Sequence, residues 1–200
     1  MLLTHNSKYN HSLEIKEPEF LLQFYRKGEE ISLFEPGFWL VYRGVVQLSR
    51  ISANGDEVIL GWATINNSFG DCSQDNTDYR AQALCDVYLR WCSPLDITKS
   101  PDLARVLMKQ LSQRIIKAQN LTTITRLRKV EDRLWQLLLM LKEEIGQSVI
   151  NGTRLTIRFT HQNLANIICT TRVTVTRLLG DFQSRELICI DRDRHIIILK

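Results

Sequence analysis

The sequence predicts an α+β fold in three consecutive parts: a region of short antiparallel strands, one long helix, and a C-terminal region of short helices and hairpins. Six of the nine glycines lie between Gly28 and Gly70, and all four prolines lie at or before Pro101. After Pro101 the apolar spacing changes from two residues to three or four. The chain therefore divides at about residue 100.

Charge divides at nearly the same place. Residues 1–97 carry 8 basic and 13 acidic side chains, a net charge of −5, whereas residues 98–200 carry 18 and 9, a net charge of +9. A basic half joined to an acidic half predicts that only the C-terminal part contacts a polyanion, most simply nucleic acid. Charge alone leaves a solvated basic surface as the alternative.

Membrane, secreted and metal-binding classes are disfavoured. The longest apolar run, Leu137–Leu141, is far shorter than the roughly 20 residues of a membrane span, and the N-terminus resembles no secretory signal. We therefore expect a soluble protein without membrane contact, in a cytoplasmic compartment. The cysteines show no CxxC or zinc-type spacing and are expected to be buried thiols, with a metal or redox site as the alternative: Cys72, Cys85, Cys92, Cys169 and Cys189. The histidines are too scattered to suggest an enzyme or a metal site: His5, His11, His161 and His195.

The pattern of the N-terminal half predicts small antiparallel strands. Phe38–Tyr42 and Val45–Ser49 alternate in polarity on either side of a short break. Asn54-Gly55, a strong hairpin signal, precedes Val58–Leu60, and the pattern continues through Ala81–Trp91. These strands predict a sandwich or a roll.

A long helix follows, with Ser100 as its N-cap and Pro101 in its first turn. Its length of about 25 residues corresponds to about 38 Å. This outreaches a small domain, so a parallel helix of a second chain would cover its apolar stripe. Packing on the chain's own β region is the alternative, and both can hold on different faces. The stripe consists of Leu103, Leu107, Leu111, Ile115 and Ala118.

The next elements are a helix over Glu131–Ile145 and a hairpin. Gly146 is expected to end the helix as its C′ residue. The inward positions of the helix are Leu134, Leu137, Leu138 and Leu141. The hairpin's strands, Val149–Ile150 and Leu155–Phe159, flank the turn signal Asn151-Gly152.

Two short helices then meet at a tight turn near Cys169-Thr170, which predicts a helix-turn-helix. Thr160 caps the first helix, which carries Leu164, Ala165 and Ile168 inward. The second lies in TTRVTVTRLLGDF, residues 170–182, where Val175, Leu178 and Leu179 face inward. This stretch is rich in β-branched residues, which are poor helix formers, so its exposed face was selected for another role.

That exposed face suits the major groove of DNA. Arg172 is positioned to read guanine O6 and N7 with its guanidinium fork, and Val173 offers a methyl surface to a thymine methyl group. Arg177 reaches another base edge or a phosphate. A surface helix with two solvated arginines is the alternative. The remaining candidate DNA contacts, mainly phosphate anchors, are Thr160, His161, Thr171, Thr174 and Thr176.

A two-stranded hairpin, here called the wing, ends the chain. Its strands, Leu187–Ile190 and His195–Leu199, enclose the charged turn 191–194. The turn either contacts the sugar-phosphate backbone or is a solvated loop.

These segments resemble the Crp/Fnr transcription regulators, and within them the global nitrogen regulators of cyanobacteria and plastids. TRVTVTRLLGDF (171–182) is close to identical to their recognition helix, and THQNLANII (160–168) is similar to the helix before it. GVVQLSR (44–50), NSFGD (67–71) and VEDRL (130–134) resemble their β-roll and post-hinge segments.

The resemblance implies an N-terminal β-roll similar to cyclic-nucleotide-binding jelly rolls, a long dimerisation helix and a C-terminal winged helix-turn-helix. It also implies a homodimer, a palindromic site with GTA and TAC half-sites, RNA polymerase as a partner and a role as activator or repressor of genes in nitrogen or carbon control. A plastid-encoded chain would act in the plastid stroma.

Two departures from the family are visible. Cys169 stands where the turn usually has glycine, which predicts backbone strain. The segment after Phe69-Gly70-Asp71 is short and places Asp75 and Asp78 where a phosphate would be repelled, so cyclic nucleotide is not expected. The resemblance implies 2-oxoglutarate as a possible effector, with Arg80, Gly70 and Arg128 as candidate ligands and Arg128 matching an arginine of the central helix. Ordinary surface ion pairs are the alternative for the two arginines.

We therefore predict a β-roll domain over 1–97, a dimerisation helix and hinge over 98–130, and a DNA-binding domain over 131–200. The predicted function is sequence-specific, non-enzymatic regulation of transcription without a bound cofactor. The alternative is a small-molecule or redox sensor that acts through protein contacts and has an inactive helix-turn-helix.

Overall fold

A computed structural model describes residues 21–33, 35–71 and 78–200. The sequence predictions for the N-terminal segment, including His5 and His11, and for Cys72 and Asp75 lie outside these residues. The strands are β1 (Gln23–Tyr25), β2 (Gly37–Arg43), β3 (Val46–Ile51), β4 (Glu57–Ala63), β5 (Ser68–Asp71), β6 (Tyr79–Ala83), β7 (Val87–Cys92), β8 (Gly146–Val149), β9 (Gly152–Leu155), β10 (Ile188–Ile190) and β11 (Ile196–Leu199). The helices are α1 (Pro94–Lys99), α2 (Pro101–Thr125), α3 (Val130–Ile145), α4 (His161–Ile167) and α5 (Arg172–Ser184).

The N-terminal strands form two antiparallel sheets, in the orders β1-β7-β2-β5 and β4-β3-β6. Apolar side chains from both sheets share one buried cluster, including Trp39, Val41, Leu48 and Leu89. The predicted roll is therefore confirmed. Asn54-Gly55 lies in the turn between β3 and β4, as expected, with Gly55 at a φ of 84°.

A short helix, α1, precedes the long one and was not predicted. Ser93 caps it: its hydroxyl accepts from the Asp96 N–H at 3.2 Å, and the Asp96 carboxylate accepts from the Ser93 N–H at 2.9 Å. Pro94 occupies the first turn. The reciprocal spacing of Ser93 and Asp96 is the sequence signal that could have found this helix.

The long helix α2 has 25 residues and begins at Pro101 with Ser100 as its N-cap, as predicted. Its apolar residues form two stripes rather than the single stripe expected. Leu107, Leu121 and Ile124 are buried, and the helix packs on β4, β5 and α3. A second row, with Met108 and Ile115 at 70% and 59% exposure, faces away from this packing.

Helix α3 buries the four leucines that the sequence assigned inward. They share a core with α4, α5 and, from the β-roll, Val45 and Trp62. The Trp62 and Phe159 rings meet edge to face at 6.0 Å. The β-roll and the C-terminal region are therefore joined by continuous apolar packing.

The predicted hairpin after α3 is present with a shifted register. Gly146 ends α3 but is extended (φ −78°, ψ 142°) instead of left-handed, because it opens β8. Val149 pairs with Gly152, so the turn is Ile150-Asn151. The predicted strand Leu155–Phe159 is wrong beyond Leu155, where the chain leaves the sheet.

The wing is part of a larger sheet than predicted. β10 pairs with β11, β11 pairs with β9, and the complete order is β10-β11-β9-β8. Pairing with β9 ties the wing to the body of the C-terminal region. The wing turn is therefore presented from a four-stranded sheet.

The expectation of buried thiols holds for Cys92 and is wrong for Cys169, which is exposed; Cys85 and Cys189 are half-buried. Burial raises the pKa of Cys85 and of Cys92.

Within the described part of the chain, none of the helices has the length and apolar character that crossing a membrane requires.

Candidate nucleic-acid interface

Thr160 starts the first helix of the predicted motif with a capping box. Its hydroxyl accepts from the Asn163 N–H at 3.0 Å, and the Asn163 side-chain oxygen accepts from the Thr160 N–H at 3.1 Å. The buried side chains Leu164, Ala165 and Ile168 then hold α4 in the core, as predicted. The exposed end of α4 is thereby fixed in place.

The turn between α4 and α5 is strained at Cys169, whose φ is 53°. This left-handed conformation costs roughly 1–2 kcal/mol for a residue with a Cβ atom, so the expected strain is present. The turn is held by a hydrogen bond from the Thr170 N–H to the Ala165 carbonyl at 2.9 Å. Arg133 of α3 stabilises the turn with a second hydrogen bond, which its guanidinium donates to the Ile168 carbonyl at 3.0 Å.

Helix α5 is fixed by its apolar face and by its C-terminal end. Val175, Leu178, Leu179 and Phe182 are buried, and the Phe182 ring meets Trp135 edge to face at 5.4 Å. Arg185, just beyond the helix, bonds the Glu131 carboxylate at 2.6 Å and the Asp181 carboxylate at 3.0 Å. Packing rather than helix propensity therefore sets the position of α5.

The opposite face of α5 presents the predicted base-reading residues. Arg172 and Arg177 are exposed, and Val173 is 78% exposed although it is apolar. Val173 and Arg177 are separated by one helical turn, as are Arg172 and Thr176. The exposed face thus consists of two short rows that begin at the N-terminal end of the helix.

The threonine hydroxyls are already engaged. Thr171 is the N-cap of α5 and accepts from the Thr174 N–H at 3.2 Å, while the two hydroxyls lie 2.9 Å apart. Thr176 donates to the Arg172 carbonyl at 2.9 Å, and the His161 Nδ1 lies 2.7 Å from the Thr176 oxygen. These predicted phosphate anchors therefore also order the N-terminal turn of α5.

Arginines around this face divide into paired and unpaired groups. Arg154 of β9 bonds the Asp191 carboxylate of the wing turn at 2.5 Å and lies 3.7 Å from the Asp193 carboxylate. The bond to Arg154 holds the pKa of Asp191 below its usual value. In the described part of the chain, no carboxylate lies within ion-pair distance of the arginines beside α5. These free cations are Arg158, Arg172, Arg177 and Arg194.

The candidate effector residues fall on three separate elements. Arg80 is on β6, where it pairs with Glu30 at 3.8 Å, and Gly70 is on β5. Arg128 was matched to the central helix, and this is wrong: α2 ends at Thr125, and Arg128 is exposed in the connection to α3. The α2 arginine that contacts the β-roll is Arg114, which sequence reasoning missed.

Arg114 belongs to a buried polar cluster between the β-roll, α2 and α3. Its guanidinium donates to the Tyr79 hydroxyl and lies 5.4 Å from the ring centroid. The ammonium group of Lys117, about one helical turn further along α2, is 3.6 Å from the Glu144 carboxylate. Burial raises the pKa of Glu144. Several buried polar atoms here find no hydrogen-bond partner among the described residues: Trp62 Nε1, Ser68 Oγ, Gln110 Oε1 and Glu144 Oε2.

Comparison with known proteins agrees with this geometry. Residues 132–200 match the family described as the Crp-like helix-turn-helix domain. The global nitrogen regulator of Synechococcus elongatus is 30% identical over 209 residues, covering 97% of this chain and 94% of that protein. The global nitrogen regulator of a Nostoc species is 29% identical over 178 residues, covering 82% of this chain and 79% of that protein. A CRP/FNR-family transcriptional regulator from Thermus thermophilus superposes with a TM-score of 0.71 at 21% identity, covering 90% of this chain and 94% of its own.

Proposed function

The chain belongs to the Crp/Fnr family of DNA-binding transcription regulators, and from this premise we propose that it binds a palindromic promoter site as a homodimer. Each protomer places α5 in the major groove, with the two half-sites about 34 Å apart on one face of the duplex. We propose GTA and TAC as the half-sites, RNA polymerase as a partner, and activation or repression of genes in nitrogen or carbon control as the role. The names of the two global nitrogen regulators described above support the role in nitrogen control.

One observation carries this proposal: Arg172, Val173 and Arg177 form an exposed face on a helix whose other face is fully packed. Two unpaired guanidinium groups and an exposed valine suit base edges and a thymine methyl group. A sensor with an inactive helix-turn-helix would have no use for such a face. This comparison favours DNA binding over the alternative function.

The first prediction concerns salt. We expect the full chain to bind a duplex with GTA and TAC half-sites, and to lose about 10³-fold or more in affinity between about 50 and 200 mM salt. The loss arises because each neutralised phosphate releases condensed counterions. Fluorescence anisotropy over a salt series measures it.

A duplex of the same length with both half-sites scrambled is the control. It should bind more weakly at every salt concentration but show a steep slope of its own. Equal affinity for the two duplexes, or a response independent of salt, would contradict the proposed function.

We also propose that the cluster around Arg114 takes the effector, with 2-oxoglutarate as the candidate. A dicarboxylate would accept a bidentate pair of hydrogen bonds from the guanidinium and a further bond from Lys117. The two cavities at this cluster measure about 10 Å³ each, about the space of one water molecule. Binding therefore requires α2 to move away from the β-roll, which would couple the effector to the position of the helix.

The second prediction tests this assignment by calorimetry. We expect wild-type protein to release or absorb heat with 2-oxoglutarate, and Arg114→Met to weaken that binding by about tenfold or more, because a charge-assisted pair is lost. Arg105→Met is the control, since Arg105 is 80% exposed on the same helix and, among the described residues, forms an ion pair with Asp102 alone. Absence of heat with the wild type, or equal binding by Arg114→Met, would overturn the assignment.

A further inference from the structure

Arg114 and Lys117 lie about one helical turn apart on the same face of α2 and connect this helix to two different parts of the chain. Arg114 donates to the Tyr79 hydroxyl of the β-roll, whereas Lys117 pairs with the Glu144 carboxylate of α3 at 3.6 Å. Glu144 is the last residue but one of α3, whose leucines share a core with α4 and α5. One face of α2 therefore links the β-roll to the DNA-binding region.

The Glu144 carboxylate depends on Lys117 for its charge. The Glu144 side chain is only 6% exposed, and burial raises its pKa while Lys117 opposes that rise. One carboxylate oxygen lies beside the ammonium group, and the other is buried without a hydrogen-bond partner among the described residues. A buried ion pair compensates for lost hydration only when the remaining lone pairs also find partners. This bridge is therefore open to replacement by a competing anion.

Lys117 is within reach of such an anion. Its side chain is 33% exposed, and it lines both small cavities of the cluster, as Arg114 does. Glu144 lines one of these cavities together with Trp62, whose buried Nε1 also finds no partner in the described part of the chain. The Glu144 carboxylate and a carboxylate of a bound effector would therefore compete for the same ammonium group.

We propose that Glu144 is an internal competitor of the effector. Its carboxylate occupies Lys117 in the ligand-free protein, and the second carboxylate of a small dicarboxylate displaces it while the first binds Arg114. The displaced carboxylate is too costly to leave buried without a partner, so the end of α3 moves away from α2. The inference rests on the proposed function, from which it takes an anionic effector at Arg114.

The end of α3 is built to pass this movement on. Ile145 follows Glu144, and its carbonyl accepts hydrogen bonds from the Thr156 N–H at 3.0 Å and from the Thr156 hydroxyl at 2.9 Å. Thr156 begins the connection that leads to α4. Leu141, about one turn before Glu144, is buried in the core shared with α4 and α5. A displacement at Glu144 therefore changes the position of the helix-turn-helix relative to α2.

Calorimetry with two matched ligands tests the inference. The ligand 2-oxoglutarate has two carboxylates, and 2-oxopentanoate has the same carbon chain with a methyl group in place of the second. We expect Glu144→Gln to bind 2-oxoglutarate about tenfold or more tightly than the wild type, because a neutral amide competes weakly and Lys117 is then available in nearly every molecule. Both proteins should bind 2-oxopentanoate equally, since this ligand has no group for Lys117.

Two further variants serve as controls. Glu143→Gln makes the same change at the exposed neighbour of Glu144 on α3, and it should bind both ligands as the wild type does. The double variant Lys117→Met with Glu144→Gln removes both partners of the bridge, which avoids a buried unpaired charge. It should bind the two ligands with nearly equal affinity. Circular dichroism verifies that each variant is folded.

Anisotropy with the palindromic duplex measures the coupling to DNA binding. In the wild type, saturating 2-oxoglutarate should change the affinity for the duplex by about fivefold or more, which is the usual lower range for allosteric coupling. In Glu144→Gln the end of α3 is already released, so the affinities with and without the ligand should be more nearly equal.

Three outcomes count against the inference. Equal affinity of Glu144→Gln and the wild type for 2-oxoglutarate, or an equal gain for 2-oxopentanoate, would overturn it while the proposed function stands. A wild type that binds the palindrome but not 2-oxoglutarate would overturn the inference and the effector assignment, and would leave the proposed DNA binding in place. Failure of the wild type to bind the palindrome, with or without the ligand, would defeat the inference and the proposed function together.

Discussion

Replacing Arg172 with alanine is expected to remove most of the preference for the palindrome while leaving a stable, folded protein. A bidentate contact between guanidinium and guanine contributes roughly 1–3 kcal/mol of discrimination against a wrong base pair. A symmetric dimer makes this contact twice. We therefore expect the affinity ratio between palindrome and scrambled duplex to fall by about 30- to 10⁴-fold.

The physical basis is that Arg172 has no intramolecular role to lose. Its guanidinium is exposed, and none of the described carboxylates lies within ion-pair distance of it. The Arg172 backbone carbonyl accepts a hydrogen bond from the Thr176 hydroxyl. Alanine keeps that carbonyl and has a higher helix propensity. Thermal unfolding should therefore be nearly unchanged, which separates lost recognition from lost structure.

Two variants complete this experiment. Arg172→Lys keeps the charge but lacks the planar fork, so it should retain affinity for the scrambled duplex and still lose preference for the palindrome. Arg105→Ala, at an exposed arginine of α2, should bind both duplexes as the wild type does. An Arg172→Ala protein with wild-type affinity and preference would show that another residue reads the bases.

The recognition helix was predictable because its sequence conflicts with its secondary structure. Val173, Thr174 and Thr176 are poor helix formers, and packing of Val175, Leu178 and Leu179 overrides their propensity. A surface that opposes local preference is expected at a functional site. The contact between Thr176 and His161 could not be foreseen, since the two residues lie on different helices that only the folded turn brings together.

The hairpin register shows where turn signals mislead. Asn151-Gly152 is a strong turn dipeptide, yet Gly152 lies in β9, where it pairs with Val149. Glycine is required there because a Cβ would lie 2.1 Å from the Ile198 carbonyl oxygen. Gly146 is likewise required by contact, since its Cβ would lie 2.1 Å from the Lys142 carbonyl oxygen. Sequence marks both glycines as special but cannot tell close approach from a turn.

The long helix shows the limit of a single apolar pattern. Of the five residues predicted as one stripe, Leu107 is buried, Leu103 and Leu111 are half-buried, and Ile115 and Ala118 are exposed. The arginine proposed for the effector changes from Arg128 to Arg114 for a related reason, because only the folded helix shows that Arg114 faces the β-roll and that Arg128 lies beyond the end of α2. Helix faces are assigned by packing partners that distant segments supply.

Ile115→Glu is expected to convert the protein to a monomer and to weaken palindrome binding by about 10²- to 10⁴-fold. The exposed row on α2 has the spacing of a coiled-coil seam, with alternating steps of four and three residues. In a parallel dimer a glutamate at this seam would meet its own copy, and each charge would be buried without a partner. The row consists of Ala104, Met108, Leu111, Ile115, Ala118 and Thr122.

The loss of DNA affinity follows from the loss of bivalency. In a dimer the second helix-turn-helix binds its half-site at a high effective concentration, and a monomer lacks this advantage, which ordinarily amounts to about 10²- to 10⁴-fold. Sedimentation equilibrium measures the assembly, and anisotropy measures the affinity. Circular dichroism should remain that of the wild type, because Ile115 is 59% exposed and makes little contribution to the core of its own chain.

Ile116→Glu is the matched control, since it makes the same change at the next residue of the same helix. Ile116 is 56% exposed, but it is offset from Ile115 by about 100° around the helix and lies outside both stripes. It should therefore remain a dimer and bind the palindrome as the wild type does. If Ile115→Glu stayed dimeric with wild-type affinity, the exposed row on α2 would not be the dimer seam, and the geometry of two helices in successive major grooves would need another interface.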